Sequence, residues 1–467
     1  MPKTPFAILP LVLMLSACNM APVYVRPDVE APPQWGQAEP ASARSEAAVA
    51  SEWWKLFGDE VLNQLIDTAL AENKDMKVAY ARIEQARAQL GITDTQRYPQ
   101  ISGNASDQHS MRSTEAAPRL PGDRHSEDAK AMLGVSYELD LWGRLRNASD
   151  AAREKLLSSE YSQQALRISL ESQVATAYFK LLALDRQLEI ARINLATQEE
   201  TLHMTQRRFE GGVASGYDYA QARAQTQQTR TTIPDLERQI TLQQNALSIL
   251  LGRNPGPITR GRSIDTLSGD FEVPAGLPSQ LLERRPDILS AEAQLRAANA
   301  NIGAARAAFF PKISLTGAAG YESSALHTLG DPGSAVWSLA AGLAQPIFTG
   351  GQLKNQLRQA EASEREMVAN YQKTVQTAFR ETEDGLVNLR KTREQIDGKR
   401  QRAAALAEAQ HISFLRYQEG LTSFMDVLDA ERNQLQAELD VVNLQNQQLA
   451  YTVSLFAALG GGWAQQP

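Results

Sequence analysis

The sequence predicts a mainly α-helical chain with a β portion of membrane-barrel type, laid out as two tandem structural repeats. Three observations predict it. First, residues 208–252 and 416–460 align without a gap at an offset of 208, matching Phe209 with Tyr417, Gly212 with Gly420, Ser215 with Ser423, Asp218 with Asp426, Ala222 with Ala430 and Gly252 with Gly460. The same offset pairs Gly134 with Gly342, Gly143 with Gly351 and Leu145 with Leu353, while an offset of 212 pairs Gly91, Pro99, Ile101 and Ser102 with Gly303, Pro311, Ile313 and Ser314. A duplication about 200 residues long is an architectural unit, so it sets the fold class. Second, the hydrophobic period switches from 3.6 to 2 at Tyr98 and again after Pro311. Third, residues 144–210 and 352–419 are helical runs without a proline, each about 100 Å long at about 1.5 Å per residue.

The N-terminus carries Lys3, an apolar run over residues 6–15, and then Leu15-Ser16-Ala17-Cys18. This is a short export signal, residues 1–17, too brief to remain as a membrane span. Its end has the form of the bacterial lipobox, and Cys18 is the only cysteine. A thioether-linked lipid plus N-acylation gives more than one acyl chain, enough for stable anchoring. The plainer alternative is an ordinary signal peptide followed by an incidental cysteine. Asn19 is not the aspartate that resemblance to bacterial lipoproteins links to inner-membrane retention, which favours the outer membrane. Removing residues 1–17 deletes only Lys3, so the net charge moves from −7 to −8. No basic face dominates, which argues against nucleic acid. With Cys18 lipidated no disulfide can form, and no later stretch offers about 18 uninterrupted apolar residues. A membrane crossing therefore has to use strands.

Residues 18–50, with Pro22, Pro27, Pro32, Pro33 and Pro40, read as a lipidated, extended tether. The first repeat, residues 51–255, opens with Glu-Trp-Trp-Lys-Leu-Phe at 52–57, and the spacing of Leu62, Leu65, Ile66 and Ala69 predicts a helix over 61–96. A β-hairpin over about 98–142 follows. Ile101, Gly103 and Ala105 alternate with Ser102, Asn104 and Ser106, and, after a polar loop over 111–128, Leu133, Val135, Tyr137, Leu139 and Leu141 alternate with Gly134, Ser136, Glu138 and Asp140. One face suits lipid and the other water. The long helix over 144–210 is rich in Ala, Gln, Arg and Glu with narrow apolar stripes, a composition for packing against other helices. A glycine turn and a Ser cap then start a return helix over 213–252. A Pro/Gly-rich crossover, 256–278, leads to the second repeat, 279–460, with its own hairpin (about 312–348), long helix (352–419) and return helix (421–459), and a tail over 461–467. Four strands cannot close a barrel, whose smallest bacterial form has about eight. Open edges are not tolerated in hydrocarbon, so a membrane reading requires an oligomer. The alternative is a soluble four-stranded patch packed on helices.

The second repeat opens Gly276-Leu277-Pro278-Ser279-Gln280-Leu281-Leu282-Glu283-Arg284-Arg285-Pro286-Asp287-Ile288, followed by Ala291, Glu292, Leu295, Ala298, Ile302, Gly303, Ala307, Phe310 and Pro311. These residues closely resemble the signature of the TolC-like outer membrane factor family, in its lipoprotein branch serving RND-type tripartite drug-efflux systems. The tether segment Val23-Tyr24-Val25-Arg26-Pro27 is similar to that branch as well, and the resemblance covers essentially the whole mature chain. It implies a homotrimer with a 12-stranded barrel continuous with a periplasmic α-helical barrel. Residues near 53–60, 256–286 and the C-terminal tail would form a belt around the duct's middle. The implied partners are outer membrane lipid, a periplasmic adaptor (membrane fusion) protein and an inner membrane RND-type pump.

No catalytic constellation, cofactor motif or metal-ligand spacing is visible; His109, His125, His203, His327 and His411 are scattered. Function then falls to the turns between helix pairs. Met425, Asp429 and Arg432 stand four and three residues apart, on one helical face. The resemblance directs that face to the duct axis and implies an apolar constriction at Met425, an acidic ring at Asp429 and a helix-tying base at Arg432, together a periplasmic gate. Read without it, Asp429 and Arg432 form a solvated pair worth a few tenths of a kcal/mol. The halves differ here, because Gln221 occupies the position of Asp429 and Arg223 that of Glu431. The turn residues Gly211, Gly212, Ser215 and Asp218, with Gly420, Ser423 and Asp426, are the expected adaptor-docking tips, their plainer reading being a good turn. The reading is a passive exit duct for drugs or other toxic small compounds in the outer membrane of a Gram-negative bacterium, and not an enzyme. Its rivals are a metal-ion efflux duct and a non-conducting coiled-coil lipoprotein.

Overall fold

The computed structural model describes residues 19–36, 52–115, 124–267, 269, 271 and 278–461. The signal segment, Cys18 and the tail beyond residue 461 lie outside the described residues, as do parts of the tether and of the crossover. Two compact units are present, one of residues 1–28, 82–160 and 290–372, the other of 29–81, 161–289 and 373–467. Each draws on both sequence repeats.

The first unit holds one antiparallel sheet, β1 (Gln100–Met111), β2 (His125–Leu139), β3 (Lys312–Ser323) and β4 (Ala335–Ala344), in the order β1-β2-β3-β4. Along β2 to β4 the apolar residues Leu133, Val135, Leu315, Trp337, Leu339 and Leu343 are exposed, as is Ile101 on β1. That is the pattern of strands whose apolar face has no protein to cover it. Among the described residues no helix is long and apolar enough to cross a membrane. The first hairpin is longer than the expected loop over 111–128 allows, because polar pairs continue the ladder through His109↔Glu127 to Met111↔His125. His109 lies 3.2 Å from Asp107 and 3.3 Å from Glu127, and Lys130 bridges Asp128 (2.8 Å) and Glu322 (3.1 Å).

The tether is docked in this unit. The Arg26 Nη2 lies 2.7 Å from Glu292 Oε2 and its Nε donates to Oε1, while the Tyr24 hydroxyl also donates to that carboxylate. Arg296 closes the cluster, 2.7 Å from Glu292 and with its guanidinium over the Tyr24 ring at 5.3 Å. These cations hold the buried Glu292 carboxyl below the usual range against the opposing effect of burial. Further along, Asn299 donates to Pro22 O, and a Cβ on Gly303 would meet the Ala21 Cβ at 2.7 Å. Gly303 leaves room for the tether.

α1 (Glu60–Glu72), in the second unit, and α2 (Lys74–Thr95), which begins there, are separate helices, which corrects the single helix expected over 61–96. Asn73 breaks them: its side-chain oxygen accepts from the N–H groups of Asp75 and Met76, capping α2, and its Nδ2 donates 2.9 Å to Leu250 O, the end of α4 (Gly216–Leu250). The second repeat has the same junction. Arg285, between α5 (Leu281–Arg284) and α6 (Pro286–Ala307), donates 3.0 Å to Ala458 O, the last residue of α8 (Phe424–Ala458). Trp53, Trp54, Phe57, Phe179 and Phe456 pack in the core of this unit, with Trp53 stacked on Phe456. Asp59 caps α1 through Val61 and Leu62 and accepts from the Tyr178 hydroxyl at 3.0 Å. The long helices α3 (Arg144–Glu210) and α7 (Gln352–Gln418) each have 67 residues.

Candidate functional site

The candidate site is the pair of turns joining α3 to α4 and α7 to α8, both in the second unit. The long helices end the same way. Val213 N–H returns to Arg208 O and Gly212 N–H to Phe209 O, as Leu421 N–H does to Arg416 O and Gly420 N–H to Tyr417 O. This double closure needs a left-handed residue, and Gly212 and Gly420 both have φ 76°. Ser215 and Ser423 then cap the return helices, accepting from the N–H of Asp218 and Asp426. The Gly211 N–H closes on Arg207 O at 3.0 Å.

The second tip carries more. Asp426 accepts from the Ser423 N–H (3.0 Å) and hydroxyl (2.8 Å), completing a reciprocal capping box, and also from the Thr422 hydroxyl. Those hydroxyls hold its carboxyl below the ordinary range, Thr422 first. In the first tip Ala214 stands where Thr422 does, and the box is one-sided. Arg208 ties the tips together, donating to Tyr417 O (3.1 Å) and Gln418 O (3.3 Å) at the end of α7, with its guanidinium 4.8 Å from the Tyr417 ring centroid. A cation at exposed helix carbonyls is favoured by charge and hydrogen bonding alike. Ala222, Tyr417, Phe424, Val427 and Leu428 form a small apolar core beneath the turns.

Of the expected gate residues, Met425 is half-buried and packs against that core. Asp429 and Arg432 are exposed, 4.0 Å apart, and the Arg432 Nε donates 3.0 Å to Gln225 Oε1 on α4. The spacing gave the three a common face; the structure gives Met425 a different environment from the charged pair. Gln225 and Arg208 join the two helix pairs and were not anticipated from sequence, although the first repeat's alignment placed both near the tip. Nor was Glu431. Its side chain is buried, facing Thr201 on α3, and burial pushes its carboxyl up to about 7. A charged residue between Asp429 and Arg432 reads as solvated, and only burial shows otherwise. Among the described residues no group of three or more His, Cys, Asp or Glu is placed to hold a metal ion.

Comparison with known proteins agrees over the full length. A family model described as outer membrane efflux protein matches residues 65–253 and 277–461, once per repeat. The probable efflux pump outer membrane protein TtgC of Pseudomonas putida is 37% identical, with 100% of this chain and 97% of the relative covered. The cation efflux system protein CusC of Escherichia coli is 34% identical over 99% of this chain and 100% of the relative. The crystal structure of the Campylobacter jejuni CmeC outer membrane channel superposes with a TM-score of 0.90 at 30% identity, covering 96% of each chain.

Proposed function

The chain belongs to the outer membrane efflux protein family, and from that premise we propose that it is the passive outer membrane exit duct of a tripartite efflux pump, closed at its helix tips. The single observation that carries this reading is the open four-stranded sheet with its bare apolar face, joined to 67-residue helices. Four strands need two more copies to reach the 12-stranded barrel of a homotrimer. The duct holds no energy source of its own, so an inner membrane pump and a periplasmic adaptor supply drive and opening. The adaptor docks on the tips formed by Gly211, Gly212, Ser215 and Asp218 and by Gly420, Ser423 and Asp426. A lipid on Cys18 anchors the chain in the outer membrane.

The gate is built from Asp429 and Arg432, with Met425 backing them. The bond from Arg432 to Gln225 supports this, because it links two helix pairs that must part for the tip to open. Its strength is that of a charge-assisted hydrogen bond at the surface, small enough to be broken by docking. Single-channel conductance in planar bilayers tests the proposal. Wild type is expected to conduct weakly and the Asp429→Ala/Arg432→Ala double variant several-fold more strongly, whereas equal conductance would remove these residues from the gate.

Cargo is read as drugs or other toxic small compounds, as the sequence resemblance to drug-efflux systems implies. The cation efflux relative favours a second reading, metal-ion export. Deleting the protein separates them: the first predicts sensitisation to antibiotics and solvents, the second to metal salts.

A further inference from the structure

The stripe that α8 turns towards its neighbours holds one residue out of character. Phe424, Val427, Leu428, Glu431 and Leu435 follow the spacing of a single helical face, and Glu431 is its only charged member. It is nonetheless 3% exposed, beside Val427 at 0% and Leu428 at 1%. Neither of its carboxylate oxygens has a hydrogen-bond partner of good geometry, and the buried Thr201 hydroxyl that faces it from α3 has none either. One turn away on α3, the buried Gln198 Oε1 is unpartnered too. This corner of the tip is rich in acceptors and short of donors.

No charge compensates Glu431. Arg208 is taken by the carbonyls of Tyr417 and Gln418 on α7, Arg230 on α4 by Glu199, Arg223 stands over Tyr219, and Arg432 reaches Gln225. Burial and the Thr201 hydroxyl are the only influences on the carboxyl, with no cation or second carboxylate acting from α3, α4 or α7. His203 on α3 and His411 on α7 are exposed, and Asp426 is held low by its hydroxyl partners. An ionised carboxylate at 431 is therefore buried without donor or countercharge, a costly state. Protonation removes the charge and supplies the missing donor, an O–H that can bond to the Thr201 oxygen.

The position matters because α8 meets α3 there, and these helices belong to the two pairs that Arg432 and Gln225 join. Keeping the pairs together keeps Glu431 inside; parting them gives its carboxylate to water. We infer that Glu431 is a proton-binding site that latches the tip: the bound proton holds α8 against α3 with the duct closed, and its release as pH rises frees the pairs to separate. The inference rests on the gate proposed above and adds its regulation. A closed tip binds the proton more tightly than an open one, so closure is strongest at low pH. It weakens as pH rises from the ordinary carboxylate value of 4.5 to about 7, by up to about tenfold per unit, and is constant above that. Arg223 occupies the equivalent position of the first repeat and is exposed, so the latch is built in the second repeat alone.

Single-channel recording of the full-length protein at pH 5 and pH 8 tests this. Wild type is expected to conduct several-fold more at pH 8 than at pH 5. Glu431→Gln, which cannot ionise, should stay at the low level at both. Thr201→Val removes the one hydroxyl that favours the ionised form and should move the wild-type rise to higher pH, a shift that lost packing alone would not produce. The Asp429→Ala/Arg432→Ala double variant, whose gate is dismantled, should conduct strongly at both pH values. With that control open, a wild type indifferent to pH would overturn the latch. So would a response that survives Glu431→Gln and is therefore owed to His203 or His411. A double variant no more conductive than wild type at pH 5 would instead overturn the gate, and the latch with it.

Discussion

The two repeats build the same backbone with different chemistry. Where a return helix ends against the next helix, the first repeat uses Asn73, an uncharged amide bonded to Leu250 O. At the equivalent position, 212 residues on, the second repeat uses Arg285, bonded to Ala458 O and to the carboxylates of Asp287 (2.7 Å) and Glu381 (2.9 Å). The tips repeat the contrast: a one-sided cap at Ser215 against the full capping box of Ser423 and Asp426, and Arg223 over Tyr219 against a buried Glu431. Glycines and cap residues specify the turns in both halves. Charge was free to diverge, and at these positions the second repeat carries the ion pairs and a buried acid.

The largest expected break in this comparison is Arg285→Ala. Its side chain is 9% exposed, and its loss takes a charged partner from two partly exposed carboxylates and the hydrogen bond from a helix end, so stability falls by about 3 kcal/mol. Asn73→Ala removes neutral bonds and costs about 1 kcal/mol. Urea unfolding of the two purified variants measures the gap; equal midpoints would mean that the ion pairs add nothing to the junction.

Glu431 gives the next effect, and it depends on pH. Its folded pKa of about 7 lies above the ordinary 4.5, so the folded tip keeps a proton that an unfolded chain releases between those values. Stability is therefore lost as pH rises through that window, at up to about 1.4 kcal/mol per unit, and is flat on either side. Glu431→Gln should gain about 3 kcal/mol over wild type at pH 8 and nothing at pH 4, read from thermal unfolding. Glu171, also raised by burial to about 7 despite Arg167 beside it, keeps part of the slope in the variant. A slope that Glu431→Gln does not reduce would show that residue 431 is solvated.

The smallest expected difference lies in the caps. Ser423→Ala should cost about 1 kcal/mol and Ser215→Ala about half of that, because only the former dismantles a reciprocal pair. Hydrogen exchange over the first turns of α4 and α8 resolves it; the reverse order would make the Thr422–Asp426 contact irrelevant.

Much of the fold was legible because the chain says everything twice. Alternation located the strands, and the offsets contained their register. The helix break at Asn73 was missed because a single asparagine in a 3.6-period run is a weak signal, although the offset from Arg285-Pro286, an evident helix start, points straight to Asn73-Lys74. At the site, glycines and serines that govern backbone geometry could be read directly. Gln225, Arg208 and the burial of Glu431 could not, since they depend on which helix lies alongside, and spacing along one helix carries no such information.

The docked N-terminal segment has a mechanical consequence. With Asn19 against Gly143, Ala21 seated on Gly303 and Arg26 clamped on Glu292, the stretch that reads in sequence as a slack leash is a splint. Asn19 is thereby held beside the turn that follows β2. A segment pinned at Asn19, Ala21 and Arg26 has little slack left to take up between those points.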